Sequence, residues 1–272
     1  MAHALWSGSV NFGLVSIPVR LVAAIRPNEL RFHFLHDEDH GRISNVRLCD
    51  SCGKRVEWDH VVRGFEAAKE RYVVVSDEDF ARVDVEATQS IDIVQFVQVD
   101  EIDPVLFDKP YYLEPEKNGR HAYGLLRDVL IKTRKVGIAQ VVIRTRQHVA
   151  AVKPRGATLV LELMHYADEI VDEAEIDAPS DRIKASAPEM KSAAMLVEAM
   201  SASFDPAAFK DTYREELTAL IEARARGERP ALGKAKARKK ATNVIDLREV
   251  LRRSLDETRK RRKKSPHRKH VA

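Results

Sequence analysis

Cysteine is almost missing from this chain. Cys49 and Cys52 are the only two among 272 residues, which excludes an extracellular scaffold held by several disulfides. Long apolar runs are missing too. No stretch of about 18 apolar residues occurs, and Met1-Ala-His-Ala-Leu-Trp6 is not a secretory leader. The expectation is a soluble, intracellular protein with no membrane partner. There is no phosphate-binding loop, dinucleotide fingerprint or nucleophile elbow. Two acidic groups, Asp77-Glu-Asp79 and Asp100-Glu-Ile-Asp103, would be the place for a Mg²⁺-dependent nuclease. The first reads better as a helix N-terminus using the macrodipole, and the second, followed by Pro104, as a turn. No catalytic residue is assigned, and the chain is not read as an enzyme.

Charge, by contrast, is abundant and unevenly placed. The formal net charge is +4, yet residues 224–272 hold 19 Lys/Arg against 5 Asp/Glu, and residues 1–223 hold 27 against 37. A basic tail on an acidic body points to a polyanion, and to nucleic acid before membrane, because the tail presents no apolar insertion face. The length suits one large domain with a true core plus appendages.

The longest strand-patterned block runs from Val136 to Tyr166. Val141-Val-Ile143 and Val149-Ala-Ala-Val152 are apolar, Pro154-Arg155-Gly156 supplies a turn, and Thr158-Leu-Val-Leu-Glu-Leu-Met164 runs back. This is a β-hairpin inside a larger sheet or barrel. Arg144 and Arg146 are two apart, so one strand would present both on one face, able to hold an anion or simply solvated. Upstream, Trp6 to Val22 makes two strands about Gly13, with Pro18 placing the second at an edge or a bulge. Arg31–Leu35 is expected to be a short strand. Ser76 to Asp79 resembles a capping box before a short helix through Val83. Strands follow from Ile91 to Asp103-Pro104 and at Tyr111–Pro115, then a helix carrying Tyr123, Leu126, Val129 and Leu130.

Residues 36–75 differ from both sides. They are polar and poorly periodic, ending in a short strand at Tyr72–Val75, as in a loop excursion or an arm whose partner lies elsewhere. Cys49-Asp-Ser-Cys52-Gly53 has the form of half a zinc knuckle. A structural zinc needs four ligands; His36, Asp39, His40 or a second chain would have to complete the set, and two reduced, unliganded thiols are the other reading. After Tyr166 the pattern turns helical. Pro188 opens a helix with Met195, Leu196, Ala199 and Met200 on one face. Asp205 and Pro206 are expected to start a second, striped by Phe209, Tyr213, Leu217 and Leu220-Ile221 and closed by Gly227. Asn243 would cap a last helix bearing Val244, Leu247, Leu251 and Leu255, and Arg259-Lys-Arg-Arg-Lys-Lys264 is expected to be disordered in isolation.

Several stretches together resemble the bacterial Ku protein. They are Trp6 to Leu21, Phe34-Leu-His36, Gly41-Arg-Ile43, Cys49-x-x-Cys-Gly53, Asp100 to Pro115, His165-Tyr-Ala-Asp-Glu-Ile170, and Phe204-Asp-Pro206 through Tyr213-Arg-Glu-Glu-Leu217. They span roughly Ala4 to Gly227 in order, and the ordered set is specific where each piece is not. The resemblance implies a mixed, β-rich fold: a Ku-like β-barrel core with a bridging arm, then C-terminal α-helices and a basic tail. Mapped here, residues 1–170 would be the core with its arm at about 36–75, residues 171–227 a helical region facing the dimer or ligase, and residues 228–272 the tail.

The implied function is non-enzymatic, sequence-independent binding of double-stranded DNA ends by a homodimeric ring. The ring would recruit an ATP-dependent DNA ligase, ligase D, for double-strand break repair by non-homologous end joining in the bacterial cytoplasm or nucleoid. The implied phosphate contacts are Arg20, Arg31, Arg42, Arg47, Arg63, Arg144 and Arg146 in the lumen, with Arg259, Lys260, Arg261, Arg262, Lys263 and Lys264 in the tail. Six tail contacts would steepen the log–log salt dependence by about 5. No cofactor is required by this reading; a structural zinc at Cys49, Cys52 and His36 is the one candidate metal. The competing reading is a generic architectural nucleic-acid binder acting through its tail.

Overall fold

A computed structural model of the protein describes residues 4–83, 89–143, 146–178 and 185–228, together with Ser254. The chain divides into two compact units, Met1–Glu175 and Ile176–Ala272. In the first, β1 (Ala4–Phe12) and β2 (Val15–Ala23) form a hairpin about Gly13, whose φ is +57°. There follow β3 (Arg63–Ala68), β4 (Arg71–Val75), α1 (Asp77–Val83), β5 (Ser90–Gln98), β6 (Phe107–Pro115), α2 (Arg120–Thr133), β7 (Lys135–Ile143), β8 (Arg146–Arg155) and β9 (Thr158–Met164). Seven strands close into a barrel in the order β1-β2-β6-β9-β8-β7-β5. Neighbours are antiparallel except the closing pair, where β1 and β5 run parallel with Val10 beside Ile91.

Alternation puts Val10, Ile17, Val19, Leu21, Ile91, Leu113, Val141, Val152, Leu159 and Leu161 into one core. A smaller cluster of Ile102, Val136, Ala151 and Met164 lies apart from it. Closure also restricts the backbone. A side chain at Gly8 would place its Cβ 2.0 Å from the carbonyl oxygen of Gln89, the oxygen that accepts from Ser9 N–H at 3.0 Å. Pro18 is not on an edge, because a closed barrel has none. Pairing of β2 with β6 begins at Val19, so Pro18 stands one step beyond that ladder, where no N–H is needed.

Helix α2 is bolted to the barrel by Tyr123. Its hydroxyl donates to the Leu113 carbonyl at 2.7 Å and accepts from Leu159 N–H at 2.6 Å. Those two residues form the last pair of the β6–β9 ladder, and burial pushes the phenol pKa up. Leu126 and Leu130 are buried beside it. Val129 is not; it faces an apolar cleft of 360 Å³ with Phe12 and Phe96. The box at Ser76 is reciprocal: Asp79 accepts from Ser76 Oγ at 2.7 Å, and Asp79 N–H donates to Ser76 Oγ at 3.1 Å. The Ser76 hydroxyl holds the Asp79 carboxyl below the usual carboxylate range.

Some expectations are corrected. Residues 31–35 are not a strand; only Leu35 bridges to Arg42. Strand β5 ends at Gln98 rather than at Asp103, after a bulge between Ile93 and Gln95. Ile143 and Arg146 do not share a strand. They face each other as the last pair of β7 with β8, because the sequence reverses there as well as at Gly156. Arg144 lies outside the described residues, and with it the expected strand face of two arginines.

The second unit contains α3 (Ala187–Met200) and α4 (Thr212–Ala225). Ser186 and Glu189 box the start of α3, with Glu189 accepting from Ser186 Oγ at 2.6 Å. Asp205 caps only a single 3₁₀ turn, Pro206–Ala208. Helix α4 instead starts at Asp211, whose carboxylate accepts from Arg214 N–H at 3.0 Å. Gly227 ends α4 in a Schellman motif, with Glu228 N–H donating to the Ala223 carbonyl at 3.0 Å and Gly227 N–H to that of Arg224 at 2.9 Å. The expected helix from Asn243 lies outside the described residues.

Candidate nucleic-acid interface

The predicted cations do not stand alone; nearly all that are described have an intramolecular neighbour. Arg20, on β2, faces Glu114 of β6 across the ladder, with a guanidinium–carboxylate distance of 3.3 Å. Arg63 of β3 lies 3.5 Å from Asp77 and packs over the Phe80 ring at 4.7 Å. Arg146 of β8 is 3.1 Å from Glu169. That carboxyl is held low by Tyr166 N–H first, and by Arg146 and His165. Arg42 approaches the His33 ring at 2.8 Å, and Arg47 stacks over Trp58 at 4.4 Å. Arg31 sits in exposed coil. Arg144 and the six cations from Arg259 to Lys264 lie outside the described residues. The structure thus spreads the described cations over the barrel and the arm and does not gather them at one point.

The stretch expected to be an arm contains two short knuckles and the β3–β4 hairpin. His36 N–H donates to Gly41 O at 2.8 Å, and Ile43 N–H to Phe34 O at 3.1 Å. Cys49 N–H donates to Lys54 O at 2.9 Å, and Val56 N–H to Arg47 O at 3.0 Å. No residue from 24 to 82 is buried, although Phe34, Trp58, Phe65 and Tyr72 are among them, at 86%, 65%, 69% and 63% exposure. The aromatic side chains of this stretch therefore lie on its surface and not in a core of its own.

The expected zinc set is not assembled. His36 turns to Asp39, 3.1 Å away, and among the described residues no three His, Cys, Asp or Glu side chains converge on a point that could hold a metal ion. Cys49 keeps one feature of a knuckle ligand: the Cys52 N–H, then the Cys52 thiol and the Ser51 N–H, draw its thiol pKa down.

One concentration of positive charge was not anticipated. Beside Arg20 and Glu114, the first two turns of α2 bring Arg120 and Arg127 to a cavity of 810 Å³. Arg127 is held by the Ala157 carbonyl at 3.0 Å and by Asp128 at 2.8 Å. Arg155 reaches over Tyr112, also in the wall, at 5.9 Å.

With this geometry in place, a family model described as the Ku70/Ku80 beta-barrel domain matches residues 11–198. The chain belongs to the Ku family. Relatives resemble it over nearly its whole length. The non-homologous end joining protein Ku of Opitutus terrae is 47% identical over 264 residues, covering 97% of this chain and 95% of that protein. Its namesakes in Bacillus subtilis and Anaeromyxobacter are 36% and 39% identical, covering 97% and 96% of this chain and 85% and 88% of theirs.

The cations beside this cavity that the sequence reading did not single out are Arg120, Arg127 and Arg155. A signal for the first two was present. Arg120, Tyr123, Gly124 and Arg127 recur at helical spacing, which puts them on one face of α2. Arg155 carried no such signal, because only the barrel register brings β8 beside the wall formed by β6 and β9.

Proposed function

We propose that this Ku protein binds the ends of double-stranded DNA, without catalysis and without regard to sequence, as a homodimeric ring that recruits an ATP-dependent DNA ligase for non-homologous end joining. The observation that carries the reading is the contrast within the first unit. A barrel with its apolar residues inside is joined to an arm whose aromatic residues are all exposed. A second copy of the arm supplies the missing cover and closes the ring. The relatives named for non-homologous end joining support the DNA end as the object enclosed.

On this reading residues 1–170 form the clamp, 171–227 face the dimer or the ligase, and 228–272 add affinity. Arg20, Arg31, Arg42, Arg47, Arg63, Arg144 and Arg146 contact phosphates in the lumen, and Arg259 to Lys264 do so from the tail. Such contacts are insensitive to sequence and sensitive to salt. Enclosure explains how an acidic body holds DNA: a closed ring needs only modest contact energy, and only an end can enter it.

The charge asymmetry favours a second reading, an architectural binder acting through its tail. Competition separates the two. Labelled linear duplex bound to the protein truncated after Gly227 is challenged with equal masses of linear or covalently closed DNA. Displacement by the linear competitor alone is expected. Equal displacement by both, or loss of binding on truncation, overturns the ring in favour of the tail.

A further inference from the structure

The cavity beside α2 has the composition of an anion site. Arg20, Arg120 and Arg127 line it against a single lining carboxylate, Glu114. The helix residues that line it, Arg120, Tyr123, Gly124 and Arg127, begin at the first residue of α2, the positive end of the helix dipole. The three arginines are in three different states. Arg127 is clamped by Ala157 and Asp128 and only 27% exposed, so it is preorganised. Arg20 is held by Glu114 in a half-exposed pair, a kind of contact that contributes little and yields readily to a better anion. The Arg120 guanidinium has no intramolecular partner among the described residues and is exposed. At 810 Å³ the space is large for a bare ion and falls within the range of about 300–1,000 Å³ that holds small organic ligands. Gly124, between the two helix arginines, leaves the floor open, for nothing lies within 4 Å of where its Cβ would be.

We propose that this cavity seats a phosphate of a DNA strand together with its sugar, with Arg120 as the first contact, Arg127 as a fixed wall and Arg20 recruited from Glu114. The inference rests on the DNA-binding reading above and adds a site to it. A phosphate offers the paired oxygens that guanidinium groups bind in bidentate fashion. Glu114 sets the threshold: an anion must displace it from Arg20 before that arginine contributes. The phosphate has two sources, an internal phosphodiester or a 5′-terminal phosphate.

The test uses the full chain and two blunt linear duplexes of equal length, one with 5′-phosphate and one with 5′-hydroxyl ends. Arg120→Gln and Gly124→Glu are compared with the unaltered protein, with circular dichroism verifying the fold of each. Arg120→Gln is expected to weaken binding roughly tenfold and to make the log–log salt slope shallower by about 0.9; Gly124→Glu weakens it by introducing a carboxylate. Loss on both duplexes assigns the site to an internal phosphodiester, and loss confined to the phosphorylated duplex assigns it to the terminal phosphate. Glu114→Gln is expected to tighten binding, whereas a merely structural pair would weaken it when broken. Unchanged affinity and slope in both Arg120→Gln and Gly124→Glu overturn the site while leaving end binding intact. Failure of the unaltered protein to bind either duplex overturns the DNA reading and this site with it.

Discussion

The barrel and the arm are neighbours in one chain and are opposite solutions to the same problem. In β2, Ile17, Val19 and Leu21 are all but inaccessible to solvent, and each is covered by strands of the same molecule. In β3 and β4, Phe65, Tyr72, Val73 and Val74 are all exposed, and the two-stranded sheet pairs with no other strand among the described residues. Two strands alone are marginal in water. The difference is that the barrel buries its apolar residues within the chain, while the β3–β4 hairpin leaves its own on the surface.

The comparison breaks most sharply under truncation of matched residues. Leu161→Ala in the barrel core is expected to cost about 2–5 kcal/mol, read as a lower denaturant midpoint. Phe65→Ala in the arm is expected to leave that midpoint in place and to shift the mass in sedimentation toward a single chain. A midpoint that falls equally in both variants, with the sedimenting mass unchanged, would show that the arm packs on its own barrel and not on a second copy.

A smaller effect is expected at the bolt between barrel and helix. Tyr123→Phe keeps the ring and removes the hydroxyl that bonds both the Leu113 carbonyl and the Leu159 N–H inside the protein. The expected loss is about 1–3 kcal/mol, measured by denaturant unfolding, with hydrogen exchange fastest at Leu159.

The smallest concerns pH. Burial first, and then the Arg146 charge, lower the His148 pKa in the folded barrel. An unfolded histidine takes up its proton near the usual value of about 6.5, before the folded one does. Protonation therefore favours the unfolded chain: the contribution is present above that value and is lost as pH falls toward the lower folded value. His148→Gln is expected to flatten melting temperature against pH in that window. An unaltered slope would assign the acid sensitivity to other groups.

Much of the barrel was legible because its strands bury one face, and a buried face writes a period of two into the sequence. The hairpins at Gly13 and Gly156, the box at Ser76 and the cap at Gly227 were equally local, each set by a few consecutive residues. The misreadings arose where two local signals compete. Asp205-Pro206 looks like a helix start, yet the chain makes one 3₁₀ turn and begins again at Asp211, which has its own capping carboxylate. Val141 to Val152 looks like one apolar strand, and pairing alone reveals that Ile143 faces Arg146 across a reversal.

By itself, then, the sequence determined most of the barrel strands and their buried faces, the local turns and caps, the poorly periodic stretch over residues 36–75, and the ordered set of stretches that marks the Ku family. These follow from contacts near in the chain or from periodicity, and both survive in one dimension. Only the tertiary structure decided which arginines meet. Arg20 and Arg120 are a hundred residues apart in sequence and line one cavity because β2, β6 and α2 are adjacent in the closed barrel. No local pattern encodes that proximity, because charge acts through space and the distance is set by how the sheet closes.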